Sequence, residues 1–134
     1  MTTTAITRRP RIQMIDSEAD ILSELALTVE ERLPQVSALL LTEIGRAAVR
    51  PADRVAEDVV TMGSVVDFTD TASGATRTVQ LVYPRDADIE AGRISILTPV
   101  GAGLIGLRPG QSILWPDRGG RERTLTIDRV RRTR

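Results

Sequence analysis

Apolar positions recur early in the chain at alternating four- and three-residue steps. Ile15, Ala19, Leu22, Ala26, Val29 and Leu33 follow this spacing, which places them on one face of a helix. The pattern predicts a helix over about Ser17–Leu33. Ser17, with Asp20 three residues on, resembles a capping box built with a short acid. Glu18 and Asp20 also sit where the helix dipole favours negative charge. Pro34 closes or interrupts the pattern. A second stripe, Val36, Leu40, Ile44 and Ala47 with Leu39 and Ala48 beside it, predicts a helix over about Gln35–Val49. The connection at Arg32–Gln35 is short, so the two are expected to form an antiparallel helical hairpin. Isolated helices of this length are marginal in water, and the pair needs a further unit to pack on.

After a polar stretch, Arg50–Asp58, the period changes. Val65–Asp70 and Ala75–Tyr83 flank the turn Thr71-Ala72-Ser73-Gly74 and read as a β-hairpin. Tyr83-Pro84 ends the second strand, and Gly92 introduces Arg93–Leu97. Thr98 is placed to cap a short helix with Pro99 in its first turn, and Gly106 can leave that helix in a left-handed conformation. Arg108-Pro109-Gly110 turns the chain into Gln111–Trp115. Asp117-Arg118-Gly119-Gly120 turns it again into a last strand, Arg123–Val130, with Leu125 and Ile127 facing inward. Trp115, before Pro116, reads as an edge anchor of that hairpin. The expected class is α+β: a short helical hairpin, then a small, mostly antiparallel β domain with one short helix across it. The divisions are a disordered tail over 1–14, the hairpin over 15–50, a linker over 51–57, the β domain over 58–130 and a tail over 131–134.

Composition narrows the chemistry. The chain has 134 residues, which suits one compact domain with a small appendage, and 18 basic residues balance 18 acidic ones. That balance argues against a protein that wraps nucleic acid through net charge alone, and a direct nucleic-acid binder using the arginine-rich C-terminal stretch ranks low. The charge is unevenly spread: Met14–Thr61 holds ten acids and four arginines, and Asp117–Arg134 holds seven arginines and three acids. That asymmetry favours an oriented partner contact. Cysteine, histidine and lysine are all absent, so disulfides, thiolate chemistry and the usual bases for Ser64, Ser95 or Ser112 are missing. No apolar run approaches the ~20 residues of a membrane span, and nothing at the N-terminus reads as a signal segment. The expectation is a cytoplasmic protein.

Candidate sites are few. Asp86, Asp88 and Glu90 lie between Pro84 and Gly92 and lack the spacing of a calcium loop, so they read as a solvated loop. The glycines of Ile94–Ile113 match neither a dinucleotide fingerprint nor a P-loop. Glu30 and Glu31 near the hairpin tip are the most suggestive carboxylate pair, but adjacent helical positions do not share a face and hold one ion poorly. Neither a cofactor nor a metal is expected.

Three stretches carry a family resemblance: Asp58-Val59-Val60-Thr61-Met62-Gly63-Ser64-Val65-Val66, Leu81-Val82-Tyr83-Pro84, and Leu97 through Gly110. Together they resemble the bacterial regulator of nucleoside diphosphate kinase family, relatives of the Gre-type transcript cleavage factors, over about Pro10–Arg129. The resemblance implies an FKBP-like β domain that docks on core RNA polymerase near its secondary channel, with the hairpin directed toward that channel. It also implies that cleavage factors carry a longer coiled coil with an acidic tip that positions a metal ion. Arg32-Leu33-Pro34-Gln35 does not reproduce that tip, and Glu30 and Glu31 fall near it without matching it. The resemblance therefore points to a non-cleaving transcription regulator without a reaction of its own. One Phe, one Tyr and one Trp cannot assemble a prolyl isomerase pocket. Thr98, Pro99, Arg108, Glu30 and Glu31 are the expected partner-binding residues, with Arg108 exposed and free to meet a carboxylate. The expected protein is a monomer that meets DNA only through the polymerase complex. The alternatives are a Gre-type cleavage and elongation factor, with Glu30 and Glu31 helping to hold the ion, and an adaptor that regulates nucleoside diphosphate kinase.

Overall fold

The computed structural model describes residues 11–116 and 122–132. The expectations for Met1–Pro10, for the Asp117–Gly120 turn, for the Trp115 side chain and for the last two residues lie outside it.

The apolar stripes fold as helices, with shifted ends. Helix α1 is Asp16–Thr28 and helix α2 is Pro34–Arg46. Ala19, Leu22 and Ala26 are buried on α1, and Val36 and Leu40 on α2. The expected reach of α1 to Leu33 is corrected. Pro34 disfavours a helical conformation at the residue before it, and the chain turns from Val29, with Leu33 N–H donating to the Val29 carbonyl at 2.7 Å. Pro34 opens α2 as its first residue rather than closing a helix. Across the turn the helices pack together, and the buried Ser37 hydroxyl donates to the Ala26 carbonyl at 2.8 Å. The Ser17–Asp20 capping box does not form: Ile15 is the N-cap residue and has no side-chain cap.

The segment read as tail is structured in its last part. Ile12 and Met14 are buried, and strand β1, Gln13–Ile15, pairs in parallel with strand β2, Ala48–Arg50. That pairing also stops α2 at Arg46, short of the expected Val49, because Ala48 N–H goes to the Ile12 carbonyl at 2.9 Å. The stretch read as linker makes a short 3-10 turn, Ala52–Arg54, after which Val55 and Val59 are buried against Ile15.

The β unit is a five-stranded sheet in the order β5-β4-β3-β7-β6. Its strands are β3 (Val65–Asp70), β4 (Thr76–Val82), β5 (Arg93–Ser95), β6 (Ser112–Pro116) and β7 (Glu122–Arg131). Only the β4–β5 pairing within it is parallel. A register shift between Asp67 and Phe68 marks a bulge against β7, which bends the sheet. Burial alternates along β3, with Val66 and Phe68 inward. Helix α3, Pro99–Leu104, lies over this core. Leu22 and Leu40 of the helices join Leu81, Ile96, Leu104 and Ile127 of the β unit in one apolar cluster. The mixed α+β class is as expected, and the core is shared between the two parts.

Candidate functional site

The segment from Thr98 to Arg108 is held from both sides. Thr98 caps α3 as expected, its hydroxyl accepting from Gly101 N–H at 3.2 Å and donating to the Ser95 carbonyl at 2.7 Å. Gly101 through Leu107 are all buried. Gly101 presses on the strand before it: a Cβ there would collide with the Ser95 carbonyl oxygen. Gly106 exits in the left-handed region, φ +87°, as expected. Val60 N–H donates to the Leu107 carbonyl at 2.8 Å, and Gly106 N–H to the Val60 carbonyl at 2.9 Å. Two of the stretches that carry the resemblance are thus stitched together by backbone bonds.

Within this segment the exposed residues are Pro99 at one end and Arg108 at the other, with Thr98 half-buried. Arg108 is exposed as expected, but it already has a carboxylate. Its Nε donates to Asp58 Oδ1 at 3.1 Å and its Nη2 to Asp58 Oδ2 at 3.4 Å. Sequence reasoning did not find that partner, which lies 50 residues away. Glu30 and Glu31 stand exposed in the turn between α1 and α2. The described contacts do not join them to Thr98, Pro99 or Arg108, so the candidate residues form two places rather than one site. Among the described residues no group of three or more metal-ligating side chains converges.

A third place was not anticipated. An open cleft of about 660 Å³ lies between α1 and the β4–β5 end of the sheet, lined by Glu18, Met62, Gln80, Tyr83, Asp88 and Arg93 among others. Glu18 stands in the first turn of α1, where the helix dipole favours an acid as expected. Its carboxylate also reaches into the β unit, accepting from Met62 N–H at 3.1 Å. Burial pushes its carboxyl above the ordinary value, opposed by that N–H and by the Arg132 guanidinium. Burial, and then the Glu18 charge, raise the Tyr83 phenol.

A carboxyl whose folded pKa is raised favours the protonated fold, so its contribution is complete below the unfolded value near 4.5 and is lost as pH rises through the folded value. Glu18→Gln mimics the protonated form and keeps an acceptor for Met62. Its urea midpoint should exceed wild type at neutral pH, and the difference should shrink toward pH 4.5. Parallel midpoint-against-pH curves for the two proteins would contradict this placement of Glu18.

Comparison with known proteins covers both parts of the chain. Residues 55–132 match the family described as "Transcription elongation factor, GreA/GreB, C-term". The Regulator of nucleoside diphosphate kinase of Escherichia coli K12 is 35% identical over 112 residues, covering 84% of this chain and 82% of that one. The transcription elongation factor GreA of Acidiphilium cryptum is 34% identical over 103 residues, covering 77% of this chain and 62% of its own length. Among solved structures, the prokaryotic transcription elongation factor GreA/GreB from Nitrosomonas europaea superposes with a TM-score of 0.74 at 35% identity, covering 92% of this chain and 99% of that one. The 55–132 match takes in Asp58, Thr98, Pro99 and Arg108, and the chain belongs to the family of transcription elongation factors defined by the GreA/GreB C-terminal domain.

Proposed function

We propose that the protein is a transcription regulator that docks on core RNA polymerase near the secondary channel and does not stimulate transcript cleavage. Its β unit, an FKBP-like domain in this reading, is the anchor, with Thr98, Pro99 and Arg108 at the contact. The helical hairpin carries Glu30 and Glu31 toward the channel. The observation that carries the reading is the likeness to the Nitrosomonas europaea factor, which extends over 92% of the chain and so includes the helices as well as the β unit. The protein acts as a cytoplasmic monomer, catalyses nothing itself and meets DNA only through the polymerase.

The separation from cleavage rests on reach and chemistry. Helices of 13 residues each span only about 20 Å. Their shared end carries Glu30 and Glu31 in a turn, and among the described residues no third metal-ligating side chain joins them there. With stalled elongation complexes and magnesium, the protein should leave RNA cleavage at the level of polymerase alone. Enhanced cleavage that disappears in the double substitution Glu30→Ala, Glu31→Ala would overturn this in favour of a Gre-type cleavage factor. The name of the Escherichia coli relative favours a second reading, direct contact with nucleoside diphosphate kinase. Co-purification with that kinase in the absence of polymerase would select it.

A further inference from the structure

The Asp58–Val66 stretch has no assigned role beyond the fold, yet its first residue grips the one exposed cation of the proposed docking segment. The Arg108–Asp58 pair is half-exposed, each side chain at 45%. Its geometry is fixed from behind. The Val60–Leu107 and Gly106–Val60 bonds lock the two backbones together, and Arg108 N–H donates to Gln111 Oε1 at 2.9 Å. An ion pair this exposed contributes little to folding. What it does is orient the guanidinium: Asp58 takes the Nε–Nη2 edge and leaves Nη1 without a partner among the described residues. A planar fork held on one edge presents the rest of its donors in a set direction.

We infer that Asp58 is a positioning residue for partner binding, holding Arg108 so that its free donors meet a carboxylate on an acidic protein surface. The inference rests on the polymerase reading for the identity of that partner. Ordering a long side chain is a cost of association, and a side chain ordered beforehand does not incur it again. Masking is the opposing possibility, in which Asp58 competes with the partner's acid. The two differ in sign.

The experiment is a titration of labelled full-length protein against core RNA polymerase with wild type, Asp58→Ala, Arg108→Ala and the double variant. Side-chain nitrogen relaxation of Arg108 Nε is measured on the free proteins. Asp58→Ala should weaken binding roughly 2- to 10-fold, and should add nothing in the Arg108→Ala background. Nε should be restrained in wild type and mobile in Asp58→Ala, with the urea midpoint nearly unchanged. Tighter or unchanged binding by Asp58→Ala overturns the inference, as does an equal loss in both backgrounds. If wild type does not bind, the polymerase reading falls. An Nε equally mobile in wild type and Asp58→Ala overturns the positioning role by itself.

Discussion

Replacing Gly106 with alanine should destabilise the protein by about 2–5 kcal/mol, from two additive causes. The backbone there has φ +87°, which costs an L-residue with a Cβ roughly 1–2 kcal/mol. The new Cβ would also stand 2.7 Å from Ile12 Cβ and 2.9 Å from the Gln13 carbonyl oxygen. Neither neighbour can yield freely, because Ile12 is buried and Gln13 lies in β1. Relief requires moving β1 away from the exit of α3, and β1 leads directly into α1. The control is Gly74, also left-handed at φ +74° but with open space where its Cβ would go. Gly74→Ala should show the conformational cost alone. Urea unfolding of both variants checks the pair: equal losses at the two positions would mean that the Ile12–Gly106 contact is not tight.

Leu40→Ala, and Leu22→Ala with it, should each cost about 2–5 kcal/mol. Both side chains are fully buried at 0% exposure, and they share one cluster with Leu81, Leu104 and Ile127 of the β unit. The cavity would open between the helices and the domain beneath them. Helix loss followed by circular dichroism and a probe in the sheet should therefore shift to lower urea together, as expected for one cooperative unit. Ile21 on the same helix is half-exposed, and Ile21→Ala should stay within about 0.5 kcal/mol of wild type. A near-zero change for both leucines would contradict the packing, and separate transitions would contradict the shared core.

The helices were legible because burial on one face writes a period into the sequence: Leu22, Ala26, Val36 and Leu40 declare it. Their ends were not. α2 stops where Ala48 pairs with Gln13, a contact 35 positions away that no local pattern announces. Ile12 and Met14 look like isolated apolar residues in a threonine- and arginine-rich tail, and only the partner strand makes them core. Thr98, Pro99 and Gly106 were readable because cap, first turn and left-handed exit are local chemistry. The partner of Arg108 was not, since a surface arginine can meet any nearby acid and only the fold brings Asp58 beside it. The second contact of Glu18 was hidden for the same reason: its place in the first turn of α1 was legible, and the Met62 amide, 44 positions away, was not.

The most direct test of polymerase docking by the β unit is an equilibrium titration of labelled protein against core RNA polymerase at two salt concentrations. Wild type, Arg108→Ala and a variant lacking Met1–Pro10 are compared. Wild type should bind saturably. Arg108→Ala should keep its unfolding midpoint and lose about 2 kcal/mol or more of binding if the guanidinium is desolvated at the contact, and the tail deletion should bind nearly as wild type. No saturable binding by wild type, or full binding by Arg108→Ala at both salts with binding abolished by the tail deletion, would contradict the account.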